Sequence, residues 1–141
     1  YDCWLLCRSL TTFTARMTVH SNNALQLAQY LEQHPKIEKV LYPGLASHPQ
    51  HTVAKKQMKN GYSGMLSILV KGNRADVLKL AGQLQLFAHA TSLGGVESLV
   101  EHRKSVEGDA SPTPDNLLRV SVGLEHINDL VADFEQALQS V

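Results

Sequence analysis

Apolar and polar positions along this chain repeat with two different periods, and each period marks a different kind of segment. Residues 2–34 read as helical. Trp4, Leu5, Leu6, Leu10, Phe13 and Met17 are the apolar positions of the first half. In the second half Ala24, Leu27, Ala28 and Leu31 follow the i, i+3, i+4, i+7 stripe of an amphipathic helix. Ser21-Asn22-Asn23 between them reads either as a cap or as an exposed kink. His34-Pro35 ends the helix, because the residue before a proline is pushed out of the α region. Ile37 to Tyr42 is a short strand closed by the Pro43-Gly44 turn. Ser47, His48 and Pro49 predict a helix start, Val53, Ala54 and Met58 its apolar positions, and Asn60-Gly61 its end.

The second part of the chain repeats the scheme. Met65 to Val70 is a strand between Gly64 and Gly72. Asn73 caps the next helix, Asp76 suits its positive end, and Val77, Leu80, Ala81 and Leu84 make its buried stripe. Leu86 to Ala90 is a third strand, Ser111-Pro112-Thr113-Pro114 a loop, and Leu117 to Val122 a fourth strand. Ile127, Leu130, Val131, Phe134, Ala137 and Leu138 give the last helix the clearest stripe of all. Four strands alternating with helices predict one domain over residues 1–141, a single sheet with helices packed on one face. Periodicity leaves strand order and direction open.

Composition narrows the class. The chain has 141 residues, 43% hydrophobic and 18% charged, which is a globular balance sufficient for one domain. Thirteen basic and thirteen acidic residues cancel, so no overall charge draws the surface to nucleic acid or to an anionic membrane. No apolar run approaches the roughly 20 residues that span a bilayer. Cys3 and Cys7 lie four apart on one helical face, a spacing that suits packing better than a disulfide and matches no redox or zinc motif. Reduced thiols in a cytoplasmic protein are the expectation. The chain opens at Tyr1, without methionine, directly in a helical pattern, and reads as part of something longer.

Two places carry candidate chemistry. Thr91 to Leu99 packs hydroxyls, the Gly94-Gly95 pair and Glu97 into one turn after a strand, where glycine admits positive φ and close backbone approach. Arg119 lies in Leu117-Leu118-Arg119-Val120-Ser121-Val122, where alternate side chains take opposite faces. Leu118, Val120 and Val122 then meet the helices, and Arg119 points the other way with Leu117 and Ser121. Its planar fork fits a carboxylate with two parallel hydrogen bonds. The plainer reading is a strand arginine facing solvent, or one paired with Glu97 or another acid. His48 and His51 have no third ligand nearby, whereas catalytic zinc uses three, so no metal site is expected.

Ser92-Leu93-Gly94-Gly95-Val96-Glu97-Ser98-Leu99 and Leu118-Arg119-Val120-Ser121-Val122-Gly123-Leu124-Glu125 resemble the closing motifs of the cystathionine γ-synthase family. These are pyridoxal-phosphate-dependent enzymes of cysteine and methionine metabolism. Trp4 to Leu10, Asn23-Ala24, Tyr42 to Leu45 and Gly64 to Ser67 resemble the family in the same order. The resemblance implies the small C-terminal domain of a fold-type-I enzyme, an α+β fold (an α/β sandwich) with a mostly antiparallel sheet of about four strands and helices on one face. It implies a sulfur amino acid as substrate, a homo-oligomer, and a large domain that lies outside this chain.

On the same resemblance, Arg119 grips the substrate α-carboxylate and Ser92 sits beside it. Thr91 stands where many members have glutamate, at the place where the substrate side chain is read. A second departure, Glu101 to Gly108, falls in the same region, so γ-replacement, γ-elimination and β-elimination all stay open. Pyridoxal phosphate belongs to the parent enzyme. Its Schiff-base lysine has no match among the eight lysines present, so this chain is expected to hold no catalytic or cofactor-binding residue. A free-standing, non-catalytic module that binds an amino acid or a protein is the alternative.

Overall fold

The computed structural model describes residues 1–141. Its elements run α1 (Asp2–Leu10), α2 (Phe13–Gln33), β1 (Ile37–Leu41), α3 (His51–Gln57), β2 (Met65–Val70), α4 (Arg74–Gln83) and β3 (Ala88–His89). β4 (Leu99–His102), α5 (Arg103–Glu107), β5 (Leu117–Ser121) and α6 (Ile127–Leu138) complete it. The strands form one five-stranded sheet in the order β1-β2-β5-β4-β3. All neighbours are antiparallel except β3 and β4, which are parallel. The α+β class with a mostly antiparallel sheet agrees with expectation. The strand count is five rather than four.

The additional strand is β4, and its composition explains why periodicity misses it. Leu99, Val100, Glu101 and His102 are all buried, so no alternation of apolar and polar positions marks it. β3 is correspondingly shorter than Leu86 to Ala90. The amide groups of Gln85 and Leu86 donate to the buried Asp133 carboxylate on α6, at 2.9–3.1 Å, instead of to a neighbouring strand.

The helical stretch breaks at Thr11-Thr12 and not at Ser21-Asn22-Asn23. Thr11 Oγ1 donates to the Arg8 carbonyl at 2.7 Å and Thr12 Oγ1 to that of Ser9 at 3.4 Å, so hydroxyls compete with the helix ladder there. Asn23 stays helical because its side-chain amide is satisfied elsewhere, by the carbonyls of Gly123 (3.1 Å) and Glu125 (2.9 Å). Residues 42–51 take successive i to i+3 turns before α3 begins at His51, past the predicted start, and α3 buries no residue.

The core lies between the sheet and α2, α4 and α6. Leu66, Ile68, Leu118, Val120 and Val122 point from β2 and the β5 segment into it. Leu27, Leu31, Val77, Leu80, Leu130 and Phe134 meet them from the helices. α1 buries nothing, and Cys3 and Cys7 on it are free and exposed. No helix is long and apolar enough to cross a membrane.

The start of α4 is built as predicted. The Asn73 side chain accepts from the amides of Ala75 and Asp76, and Asp76 accepts from the Asn73 amide, a reciprocal capping box. Asn73→Ala removes one half of it. The expected result is a loss of about 1 kcal/mol, read as a lower urea midpoint at unchanged m-value.

Candidate functional site

Arg119 is the middle residue of β5. Its register partners are Ser67 on β2 and Glu101 on β4. Partners directly opposite share a face, so Ser67, Arg119 and Glu101 line up across the sheet. Leu118 and Val120 are fully buried on the helix side. Arg119 therefore projects from the face away from the helices, as strand parity predicts. Its side chain is 20% exposed.

The hydrogen bonding of that guanidinium is one-sided. Nη1 donates to the Ser92 carbonyl at 3.2 Å and lies 3.6 Å from Glu101 Oε2. Nε and Nη2 make no hydrogen bond to the protein. They are the edge of the fork that takes a carboxylate with two parallel bonds. Ser92 thus meets Arg119 through its main chain, while its hydroxyl stays exposed and unengaged.

Glu101 is the residue that sequence reasoning missed. Its side chain is only 4% exposed, and three groups hold it. Arg103 Nη1 donates to Oε2 at 2.8 Å, the Thr91 hydroxyl donates to Oε1, and Arg119 approaches from the neighbouring strand. Burial alone would raise its pKa, but hydrogen bonds from Arg103 and Thr91, with the charges of Arg103 and Arg119, hold it below the usual carboxylate range. Arg103 and Arg119 thus share one carboxylate, with Arg103 the closer of the two. The acid beside Arg119 is Glu101 and not Glu97. Only pairing between strands 18 residues apart reveals it.

The network continues outward. Arg103 Nε donates to Glu107 Oε1 at 3.0 Å, and the hydroxyls of Ser111 and Thr113 donate to Glu107 Oε2. These bonds, from Ser111, Thr113 and Arg103 in that order, lower the Glu107 pKa from 4.5 to about 2. A depressed carboxylate stabilises the fold above its unfolded pKa, and that contribution disappears as pH falls from 4.5 through about 2. Glu107→Gln is expected to flatten the acid limb of a Tm-against-pH curve in this window. The measurement is thermal unfolding of both proteins across it, and parallel curves would contradict the assignment.

The glycine turn lies against the same face. Gly94 takes φ +76°, in the left-handed region that favours glycine, while Gly95 does not, so one residue of the pair carries the turn. Thr91 and Glu101 also border a cleft of about 300 Å³ between α4, β3 and α5. Arg119, Ser92 and Thr91 are therefore brought together, Ser92 through its carbonyl on Arg119 and Thr91 through Glu101.

The two closing motifs are tied to each other by side chains whose role spacing alone did not suggest. Glu125 accepts from the Ser98 amide at 2.7 Å and from its hydroxyl at 2.8 Å. The Ser98 hydroxyl oxygen in turn accepts from the Gly123 amide at 2.8 Å, and the Leu124 amide donates to the Val96 carbonyl at 2.8 Å. A Cβ on Gly123 would sit 2.4 Å from Glu125 Oε2 and 2.5 Å from the Val96 carbonyl oxygen, so only glycine fits. This knot fixes the glycine turn against the end of β5, and with it Ser92 against Arg119.

Comparison with known proteins adds four findings. The family profile described as "Cys/Met metabolism PLP-dependent enzyme" matches residues 1–139. Cystathionine gamma-lyase of Dictyostelium discoideum is 47% identical over 146 aligned residues, covering 98% of this chain and 38% of that protein. Cystathionine gamma-synthase of Mycobacterium bovis is 45% identical over 143, covering 98% and 37%. The crystal structure of metB from Corynebacterium glutamicum superposes with a TM-score of 0.93 at 42% identity, covering 99% of this chain and 37% of that one. The chain thus spans under two fifths of the length of these relatives.

Proposed function

Because the chain belongs to the Cys/Met-metabolism family of pyridoxal-phosphate-dependent enzymes, we propose that it is the C-terminal, substrate-binding domain of a transsulfuration enzyme. That enzyme makes or cleaves C–S bonds of sulfur amino acids. Arg119 binds the substrate α-carboxylate, and Ser92 and Thr91 stand beside it. The same reading carries a large domain outside this chain, a homo-oligomeric assembly and a cytoplasmic setting.

One observation supports the clamp above the others. The Nε/Nη2 edge of Arg119 is free of protein partners, while Nη1 is held by the Ser92 carbonyl and faces Glu101. A guanidinium held on one side and free on the other is oriented before ligand arrives, which reduces the entropy lost on binding. Glu101 adds negative charge close by, and Arg103 balances it. Arg119 therefore keeps attraction for a ligand carboxylate.

On this reading the Schiff-base lysine of the cofactor lies outside this chain. No lysine enters the Arg119 network. Lys36, Lys71, Lys79 and Lys104 donate to main-chain carbonyls, and Lys39, Lys55, Lys56 and Lys59 are exposed. The division of labour that follows is simple: this domain binds and orients the carboxylate end of the substrate, and the carbanion chemistry belongs elsewhere.

The test uses the longer protein, purified with pyridoxal phosphate and offered cystathionine, methionine or cysteine. Cofactor-dependent formation or cleavage of a C–S bond is expected with at least one of them. No such activity, together with calorimetric binding of these amino acids to the 141-residue chain alone, would favour a non-catalytic binding module instead.

A further inference from the structure

His20 on α2 is 2% exposed, and its two ring nitrogens meet different surroundings. Nδ1 lies 2.6 Å from the Val122 carbonyl oxygen. A carbonyl can only accept, so Nδ1 carries the proton of the neutral ring and Nε2 presents a bare lone pair. Nε2 is buried and has no hydrogen-bond partner in the protein, the one buried side-chain polar atom left so. Buried polar atoms are almost always paired, and an exception points to a bound group.

A cavity of about 50 Å³ adjoins the His20 ring. Ser63 and Ser121 are among the residues that line it, and Leu93 and Gly94 of the glycine turn form another wall. A buried water needs about 10–15 Å³ of such space and two to four polar partners. Ser63 Oγ already accepts from the Met65 amide at 3.0 Å, which leaves its proton to donate. Ser121 Oγ has no protein partner. Three polar groups in a cavity of sufficient size make a water site, whereas a dry apolar void would offer none.

We propose that this cavity binds a structural water that donates to His20 Nε2 and bonds the hydroxyls of Ser121 and Ser63. The water ties α2 to β5 through Ser121, two residues from Arg119, and to Ser63 just ahead of β2. His20 is then a positioning residue. Its Nδ1 holds the end of β5 through Val122, and its Nε2, through the water, holds Ser121 on that strand and Ser63 before β2. None of this depends on the enzymatic reading, so it stands or fails separately.

The test is a high-resolution crystal structure of the full-length protein, with amide exchange of His20→Asn and His20→Gln. Asparagine retains a donor for the Val122 carbonyl and has no counterpart of Nε2, whereas glutamine places an acceptor near the Nε2 position. One ordered solvent molecule within hydrogen-bonding distance of Nε2 is expected in the wild type. Amide exchange at Met65, whose amide donates to Ser63 Oγ, is expected to be about fivefold faster in His20→Asn, the effect of one net hydrogen bond, and restored in His20→Gln. An empty cavity, or Nε2 donating to a protein acceptor, would overturn the water site. Exchange unchanged in His20→Asn would overturn the positioning role.

Discussion

Arg119→Ala is expected to lower kcat/KM of the full-length enzyme for its amino-acid substrate by roughly 30-fold to several thousand-fold. That is about 2–5 kcal/mol of transition-state stabilisation, the range for truncating one partner of a close, hydrogen-bonded charge pair. The loss should leave the fold intact. Glu101, the only carboxylate near the guanidinium, keeps Arg103 at 2.8 Å and the Thr91 hydroxyl when Arg119 is gone, so no buried charge is stranded. Arg119→Lys should recover part of the activity. An ammonium keeps the charge but cannot present two parallel donors. Steady-state kinetics of the three proteins, with thermal unfolding as control, checks the order wild type, lysine, alanine.

Phe134→Ala is expected to destabilise the chain by about 3–5 kcal/mol, the usual cost of truncating a buried phenylalanine. Phe134 is fully buried on α6, and its ring meets Phe87 edge-on with centroids 4.9 Å apart. Its neighbour Asp133 receives the amides of Gln85 and Leu86. Between them these two residues anchor the segment that enters β3 and then the glycine turn. Part of the loss is the cavity that the missing ring leaves beside Phe87. Urea unfolding followed by circular dichroism gives the number. A loss below about 1 kcal/mol would mean that the core collapses around the site far more readily than such sites usually do.

What was legible in the sequence was mostly local or periodic. The face of Arg119 follows from strand parity in an apolar run. The Asn73 cap with Asp76 three residues on is local chemistry, and the stripe of α6 is periodicity. Two kinds of feature escaped. β4 did so because Glu101 and His102 are polar residues buried by their partners, and burial by pairing leaves no hydrophobic signal. The break at Thr11-Thr12 arises from hydroxyl competition, while Ser21-Asn22-Asn23, which looked more breakable, is held helical by carbonyls about a hundred residues away.

The site shows the same division. Motif resemblance picked out Arg119, Ser92 and Thr91, and the structure brings them together. It could not supply Glu101 or Arg103, whose roles depend on the β4–β5 register. Nor did it explain Ser98, Gly123 and Glu125. Those motif residues make a hydrogen-bonded knot that joins the glycine turn to the Arg119 strand.

The most direct measurement compares an amino-acid substrate with its α-carboxamide analogue on wild-type enzyme and on Arg119→Ala. If Arg119 binds the α-carboxylate, wild type discriminates strongly for the acid and the alanine variant treats the two nearly alike. Equal discrimination by both proteins would contradict the assignment, whatever Arg119→Ala does to overall activity.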